Sequence, residues 1–270
     1  MSIQTYLEAV KNRPYPNDLS HVLVKCGTDV LVSVQGQLDQ DVFNDIARQC
    51  IELWASVTIV SSGAVKAGKE SVHGERPAFF PPYPDKEYVA IGARHLLQKW
   101  GDAFALYQRE IAQIWVTSVN LSNRGECDQI SAAIHFCHRA STVPIVNEND
   151  VVSNSSGSMD NDVLATSIAE LTQPRPDAVL FLTKVGGVYE DDPVQSPHAH
   201  RYHEMNADVA CVLGTAIATR SRFRGGMGQK LLQAIRCMEM GMRVGIAGPE
   251  NDNILRFAAG ESVGTIIRSS

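Results

Sequence analysis

The sequence predicts an α/β fold in which a mainly parallel β-sheet lies between two layers of helices. Two observations carry this prediction. Short apolar runs that end in small or polar residues recur along the chain, and segments with apolar residues at helical spacing alternate with them. Strands that alternate with helices are joined by crossovers, which make the strands parallel and place helices on both faces of the sheet.

Composition limits the classes of protein to which the chain can belong. Its 270 residues are 44% hydrophobic and 20% charged, which suits a sizeable buried core and excludes a disordered chain. The net charge of −6 argues against a nucleic-acid-binding or anionic-membrane-binding surface, although it is compatible with a local basic pocket. The sequence has neither a secretory signal nor an apolar run of about 18 residues, so we expect a cytoplasmic protein.

Cysteine and histidine spacing gives no sign of a metal site held by the protein alone. The six cysteines are scattered without close pairs, which predicts buried apolar residues or free thiols in a reducing compartment. The eight histidines also lack the spacing of metal ligands.

The elements of the first half can be predicted in order. Pro14 and Pro16 indicate an irregular N-terminal extension over residues 1–20. Apolar runs predict the strands, and apolar residues spaced by four, such as Val42, Ile46 and Cys50, predict the helices. The predicted strands are 21–28, 57–64, 111–116 and 142–147, and the predicted helices are 39–54, 88–108 and 126–140.

A proline-rich segment, 72–87, interrupts this pattern. Its four prolines forbid a regular helix over that stretch. We interpret it either as a plain surface loop or as a lid or oligomer contact, because long loops in compact domains often carry function.

The second half continues the alternation. Asp160-Asn161-Asp162 opens a predicted helix that ends near residue 171, and the simplest interpretation of this triplet is helix capping. Residues 178–183 form the clearest central strand. A glycine-rich turn over 224–228 precedes a helix over 229–240, and strands follow at 243–247 and 264–267.

Polar motifs follow four of the predicted strands, at the edge where open α/β sheets bind ligands. Lys25 and Lys230 could supply positive charge for phosphoryl oxygens, and the glycines at 225–228 would let the backbone approach a phosphate. Simpler explanations exist, since a lone lysine is usually solvated and a Gly-Gly turn is usually only a turn. Neither GxGxxG nor the Walker pattern fits these glycines.

Taken in order, these motifs resemble the amino acid kinase superfamily, and within it the glutamate 5-kinases. The resemblance spans about residues 21–268 and is carried by VKCGTDVL (24–31), VSSGAVKAG (60–68), VPIVNENDVV (143–152), DNDVLA (160–165), LTKVGGVYEDDP (182–193), FRGGMGQK (223–230) and GESVGT (260–265). It implies a three-layer αβα sandwich with an open sheet of about eight strands. Residues 21–270 would form one domain, whose N-terminal half binds the acceptor and whose C-terminal half binds the nucleotide.

The resemblance also implies roles for individual residues, together with ATP and Mg²⁺ as cofactors. Lys25 and Lys230 resemble the lysines that stabilise the transferring phosphoryl group, and Asp162 resembles the carboxylate that positions them. The implied acceptor-binding residues are Ser62, Gly63, Ala64, Asn147, Asp150, Asp160 and Asn161. The implied nucleotide-binding residues are Gly27, Thr28, Thr183, Lys184, Gly225, Gly226, Met227 and Gly228.

The implied reaction is phosphorylation of the side-chain carboxylate of L-glutamate, the first step of proline biosynthesis. A carboxylate is already an anion near neutral pH and needs no general base, so the absence of a Ser-His-Asp or Cys-His arrangement is expected. The resemblance further implies a homodimer or homotetramer and feedback control by proline. It implies no nucleic-acid or membrane partner.

The chain departs from the glutamate 5-kinase pattern at three places. Thr183-Lys184 replaces the usual Thr-Asp and is more similar to the uridylate kinase branch, so Lys184 either contacts ATP phosphates or points to solvent. Gly157-Ser158-Met159 replaces the usual Lys-x-Gly, and residues 122–127 replace an arginine- and asparagine-rich segment. The C-terminal PUA module of many glutamate 5-kinases is not expected here.

These departures keep two alternatives open. One is a kinase of the same fold that acts on another carboxylate or on a phosphate ester. The other is a nucleotide-binding storage or regulatory protein without turnover, which Lys25, Asp162 and Lys230 argue against.

Overall fold

The computed structural model describes Tyr15 and residues 18–73, 84–153, 159–220 and 226–269. Predictions for most of the N-terminal extension, for 74–83 of the proline-rich segment, for Gly157-Ser158 and for Gly225 therefore lie outside the described residues. No helix within the described ranges is both long and apolar enough to cross a membrane.

Eight strands form one sheet in the order β3-β4-β2-β1-β5-β9-β10-β8, and β6 pairs with β7 in a separate antiparallel ribbon. The sheet strands are β1 His21–Cys26, β2 Ser56–Ser61, β3 Ile111–Val116, β4 Val143–Glu148, β5 Ala178–Leu182, β8 Glu204–Asn206, β9 Arg243–Ala247 and β10 Thr265–Arg268. The ribbon consists of β6 Val188–Tyr189 and β7 Arg201–Tyr202.

The helices of the described part of the chain connect these strands. They are α1 Gln40–Glu52, α2 Ala64–His73, α3 Asp85–Ala105, α4 Ser118–Ser122, α5 Arg124–Arg139, α6 Asn161–Leu171, α7 Ala207–Arg220, α8 Met227–Glu239 and α9 Asn253–Ala258. Side-chain caps explain where several begin: Asp39 accepts a hydrogen bond from the Asp41 N–H, and Asn123 accepts from the N–H groups of Gly125 and Glu126.

Parallel pairing brings the carboxyl ends of the central strands together. β1 pairs in parallel with β2, from His21 opposite Ser56 to Cys26 opposite Ser61, and with β5 on its other side. β4 is parallel to β2 and to β3. The residues that follow β1, β2, β4 and β5 therefore meet along one edge of the sheet, where open α/β sheets bind ligands.

Alternate residues of the central strands face two separate hydrophobic layers. Val22 and Val24 of β1 point into a layer that contains Phe43 of α1 and Trp100 of α3. Leu23 of β1 points into the other layer, together with residues of α5, α6, α7 and α8. Because the buried strands contact helices on both faces, the molecule is a three-layer αβα sandwich, and the predicted fold class is confirmed.

The structure adds features that sequence patterning did not reveal. The helices α2, α4, α7 and α9 were not predicted, nor were the strand β8 and the ribbon β6–β7. The last strand, β10, pairs antiparallel with β9, so the sheet is mainly rather than wholly parallel. The proline-rich segment predicted to be irregular over 72–87 is helical at both ends, because α2 runs to His73 and α3 begins at Asp85.

Candidate active site

Two lysines from opposite halves of the chain converge on one carboxylate at the carboxyl edge of the sheet. The Nζ of Lys25, in β1, lies 2.7 Å from Oδ1 of Asp162, and the Nζ of Lys230, in α8, lies 2.9 Å from the same oxygen. Lys230 also lies over the ring of Phe181, 5.6 Å from its centroid. We refer to Lys25, Asp162 and Lys230 as the lysine–aspartate triad.

The triad is almost inaccessible to water. Lys25, Asp162 and Lys230 are 6%, 2% and 7% exposed. Burial by itself raises the pKa of Asp162, but the charges of Lys230 and Lys25 outweigh burial and hold this pKa below its ordinary value. Burial, and then the Lys25 charge, lowers the pKa of Lys230 even though Asp162 opposes the change. The triad therefore carries more positive than negative charge in a poorly hydrated place, which suits an incoming anion.

The start of helix α6 places Asp162. Asp160 Oδ1 accepts a hydrogen bond of 2.8 Å from the Asp162 N–H, which caps the helix as the sequence predicted. The other oxygen of Asp160, Oδ2, is buried and has no hydrogen-bond partner among the described residues. Burial raises the pKa of Asp160, and the N–H of Asp162 acts in the opposite direction without cancelling the rise. Asp160 thus has a free acceptor beside the triad.

Glu148, at the end of β4, supports the backbone just before this cap. It is only 5% exposed. Its Oε1 accepts a hydrogen bond of 2.7 Å from the hydroxyl of Ser153, and its Oε2 accepts one from the Met159 N–H. Because Met159 precedes Asp160, Glu148 fixes the direction in which the chain enters α6.

A side chain on Gly27 would meet the carboxylate of Asp29, which would have to move aside. A Cβ at this position would lie 2.7 Å from Oδ1 of Asp29 and 3.7 Å from Nζ of Lys25. Across the cleft, Gly226 adopts a left-handed φ of 93° at the start of α8, where no side chain of the described residues caps the helix. The first N–H groups of α8 are therefore available to an anion.

These elements surround an open cleft of about 1850 Å³. Eleven of the residues predicted for the site line it: Lys25, Gly27, Thr28, Ser62, Asp160, Asn161, Asp162, Thr183, Gly226, Met227 and Lys230. The sequence thus identified residues that are distant in the chain and adjacent in the fold.

Other predicted site residues do not line the cleft, namely Gly63, Ala64, Asn147, Asp150, Lys184 and Gly228. Asn147 instead holds neighbouring strands together: its Nδ2 donates to the Ser61 carbonyl, and its Oδ1 accepts from Gln113. Lys184 is exposed, which agrees with the solvent-facing interpretation of its position.

Sequence reasoning also missed several residues that line the cleft. Asp29 and Lys66 lie inside two of the quoted motifs but were given no role. Leu213, Ala216 and Ile217 belong to α7, whose residues are apolar on most sides and show little helical periodicity, so no pattern indicated a cleft wall there.

The parallel sheet between helices and the paired lysines at its carboxyl edge suit a phosphotransferase. Comparison with known proteins agrees, since the model of the amino acid kinase family matches residues 21–248. The chain belongs to the amino acid kinase family.

Similar curated proteins carry the name glutamate 5-kinase. One from Geobacter sp. (strain M21) is 30% identical over 92% of this chain and 67% of its own length. One from Vibrio vulnificus (strain YJ016) is 34% identical over 87% of this chain and 62% of its own length. The chain thus spans about two thirds of the length of these relatives.

Solved structures of similar fold include an isopentenyl phosphate kinase of T. acidophilum, with a TM-score of 0.65, 16% identity and coverage of 92% of this chain and 100% of that chain. They also include a carbamate kinase from Giardia lamblia bound to AMP-PNP. Its TM-score is 0.65 and its identity is 14%, and the match covers 93% of this chain and 99% of that chain. At these identities the likeness concerns the fold alone.

Proposed function

We propose that the protein transfers the γ-phosphoryl group of ATP to the side-chain carboxylate of L-glutamate and forms γ-glutamyl phosphate. The observation that carries the proposal is the lysine–aspartate triad, in which two buried ammonium groups contact one carboxylate oxygen in the cleft. The names of the similar curated proteins support glutamate as the acceptor.

The proposed step is a direct displacement at phosphorus. A carboxylate oxygen of glutamate forms a bond to the γ-phosphorus while the bond from that phosphorus to the bridging oxygen of ADP breaks. No proton has to move, because the attacking carboxylate is ionised near neutral pH. The barrier comes from repulsion between two anions and from their alignment. Lys25 and Lys230 reduce that repulsion, and Asp162 holds both ammonium groups in place.

The described residues fit a Mg²⁺ ion that is bound mainly by ATP. Mg²⁺ uses one or two protein carboxylates together with substrate phosphates, and Asp29 and Asp160 line the cleft beside the triad. The unpartnered Oδ2 of Asp160 is an oxygen of the required kind. When bound, the ion neutralises phosphate charge; no group of three or more described His, Cys, Asp or Glu side chains could hold a metal without the nucleotide.

We assign the acceptor to the N-terminal half of one domain formed by residues 21–270, beside Ser62 and Asn161, and the nucleotide to the C-terminal half, beside Thr183, Gly226 and Met227. We further propose that the reaction is the first step of proline biosynthesis and that the enzyme is a cytoplasmic homodimer or homotetramer. The names of the relatives support the pathway.

Release of ADP from MgATP, measured with a panel of acceptors, tests the proposal. The panel contains L-glutamate, other small acids, carbamate, uridylate, isopentenyl phosphate and no acceptor. We expect stimulation by L-glutamate above all other acceptors, and we expect Lys230→Ala to abolish it while the circular dichroism spectrum stays unchanged.

Other outcomes of the panel assay would refute the proposal in distinguishable ways. Preference for a phosphate ester would show a different acceptor on the same fold. ATP binding without turnover for any acceptor would indicate a storage or regulatory protein. Normal turnover by Lys230→Ala would remove Lys230 from the mechanism.

A further inference from the structure

The charges that line the described part of the cleft are unevenly distributed. Three lysines are present, and two of them, Lys25 and Lys230, are engaged by Asp162. Five further carboxylates line the same cleft, so an acidic substrate meets a net excess of negative charge outside the triad. The five are Asp29, Asp160, Glu190, Asp191 and Asp192. Lys66 is the third lysine.

Lys66 lies on the acceptor side of the cleft. The N–H of Ser62 donates a hydrogen bond of 2.9 Å to the carbonyl of Cys26, so the turn before α2 is joined to the end of β1, next to Lys25. Lys66 follows Ser62 by four residues and lies in the first turn of α2. Ser62 and Lys66 both line the cleft.

The ammonium of Lys66 lies beside the loop that contains Gly36. Nζ lies 3.9 Å from the place that a Cβ on Gly36 would occupy, and Gly36 also lines the cleft. The side chain of Lys66 is 34% exposed. The ammonium is therefore partly sheltered and accessible from the same cleft as the triad.

Within the described part of the chain, the ion pair of Lys66 with Glu70 leaves the ammonium incompletely satisfied. Nζ lies 3.6 Å from Oε1 of Glu70, which is beyond the distance of a good charge-assisted hydrogen bond. The same Glu70 oxygen already accepts a hydrogen bond of 2.9 Å from the Leu38 N–H. A partly exposed ion pair with this geometry contributes little to stability, so fold maintenance does not account for the lysine.

We infer that Lys66 binds a second anionic group of the acceptor, which makes the substrate class a short dicarboxylate rather than a monocarboxylate. This inference rests on the proposed function. One carboxylate of the acceptor would lie at the triad and receive the phosphoryl group, and the other would lie at Lys66. Lys66 thereby distinguishes glutamate from acids that carry only the reacting carboxylate.

Steady-state ADP release tests this inference with two acceptors that differ in one group. L-glutamate and 4-aminobutyrate both carry an amine and the reacting carboxylate, but 4-aminobutyrate lacks the second carboxylate. The variants are Lys66→Met and Lys66→Arg. Lys69→Met is the matched control, because Lys69 lies on the same helix, is exposed, pairs with Asp85 and does not line the cleft.

We expect Lys66→Met to raise the KM for L-glutamate by about 10- to 100-fold, the range of one charge-assisted hydrogen bond. The KM for ATP should stay within about twofold, because Lys66 is assigned to the acceptor half. The preference for L-glutamate over 4-aminobutyrate should disappear in Lys66→Met, largely return in Lys66→Arg and be unchanged in Lys69→Met.

The result that overturns the inference differs from the result that overturns the proposed function. If the wild type phosphorylates glutamate and Lys66→Met leaves its KM unchanged, or if the wild type uses 4-aminobutyrate equally well, Lys66 does not select a dicarboxylate. If the wild type prefers a different acceptor, the glutamate proposal fails. In that case the inference still holds if the preferred acceptor is a dicarboxylate and Lys66→Met raises the KM for it. Any other result refutes the inference.

If the protein phosphorylates no acceptor, the binding of L-glutamate measured by calorimetry tests the inference instead. L-glutamate that binds the ATP-loaded wild type at least tenfold more tightly than Lys66→Met would support the inference, and equal or absent binding would overturn it.

Discussion

Asp162 is the residue on which both lysines of the site depend. Its Oδ1 contacts Lys25 at 2.7 Å and Lys230 at 2.9 Å, and the three groups are almost fully buried. Removing one member of a buried ion cluster leaves charge without compensation, which costs far more than loss of a surface pair. The same residue therefore connects the stability of the fold with the charge of the site.

We predict that Asp162→Asn lowers the free energy of unfolding by about 3 kcal/mol and lowers kcat at least about 100-fold. Urea unfolding and ADP release measure the two effects. Adding Lys25→Met to Asp162→Asn should recover part of the lost stability, because one uncompensated charge disappears, but no activity. Unfolding midpoints that are the same for wild type and Asp162→Asn would contradict the structural role of this carboxylate.

His21 links stability to pH at the opposite end of β1. It is 6% exposed, and its Nε2 lies 2.9 Å from the Thr58 hydroxyl, whose other neighbour is His138 Nε2 at 3.1 Å. Burial, together with the nearby charges of His138 and His135, lowers the pKa of His21 from 6.5 to about 3. The folded protein therefore keeps His21 neutral at pH values where the unfolded chain protonates it.

We predict that stability is lost as pH falls from about 6.5 towards 3, because the unfolded chain binds a proton that the folded one excludes. His21 alone should lower the free energy of unfolding by about 2 kcal/mol between pH 7.5 and pH 5. Denaturant unfolding at both pH values measures the change, and His21→Gln should reduce it. His198, which is exposed, supplies the control His198→Gln. An identical pH dependence in wild type and His21→Gln would refute the assignment.

Among the elements, α2 and α3 depend on glycines at their contact. A Cβ on Gly92 of α3 would lie 1.9 Å from the Ala64 carbonyl oxygen, and a Cβ on Gly68 of α2 would lie 1.9 Å from the Tyr88 carbonyl oxygen. Backbone atoms cannot move aside as a flexible side chain can. The two helices can pack this closely only because both positions lack a side chain.

Two alanine substitutions in α3 should therefore have opposite effects. Gly92→Ala should destabilise the protein by at least about 2 kcal/mol, because it forces the helices apart. Gly101→Ala should be neutral or stabilising by up to about 1 kcal/mol, because its Cβ would make an ordinary contact of 3.8 Å with Ile111 while helix propensity improves. Thermal unfolding measures both. Equal effects of the two substitutions would contradict the packing of α2 against α3.

The same elements show how far a sequence can predict this structure. Strand and helix periodicity located the central strands and α1, α3, α5 and α8, because their burial patterns are regular. Helix α2 was missed because Gly68 and its small residues serve contact with α3 rather than helix propensity. Helix α7 was missed because its apolar residues surround the helix. The strand β10 was predicted at 264–267, but its antiparallel direction was not, because pairing direction is a tertiary property.

At the scale of the whole molecule, the order of the motifs along the chain predicted the location of the site better than the type of any single residue did. Lys25, Asp162 and Lys230 are separated by most of the chain, yet the structure brings them to one oxygen. Asn147 shows the limit, because its motif could not reveal that its amide joins strands rather than lining the cleft. The sequence assigned no role to Asp29 and Lys66, because other residues of the same motifs carry the resemblance. Only the structure shows that these two side chains line the cleft.

The net charge of −6 also has a different meaning at this scale. It argued against a surface for nucleic acid, but the lysine–aspartate triad forms a buried positive site inside an acidic molecule. Among the described residues that line the cleft, the triad and Lys66 attract an anionic substrate, and the other carboxylates repel it. This arrangement favours specificity for the position of charge on the acceptor.

Trapping of the product tests the central claim most directly. The purified full chain is incubated with MgATP, L-glutamate and hydroxylamine, which converts an acyl phosphate to a stable hydroxamate. We predict γ-glutamyl hydroxamate in amounts equal to the ADP released by the wild type, and none with Lys230→Met. Release of ADP without hydroxamate, or equal hydroxamate from wild type and Lys230→Met, would contradict phosphoryl transfer to the glutamate carboxylate at the lysine–aspartate triad.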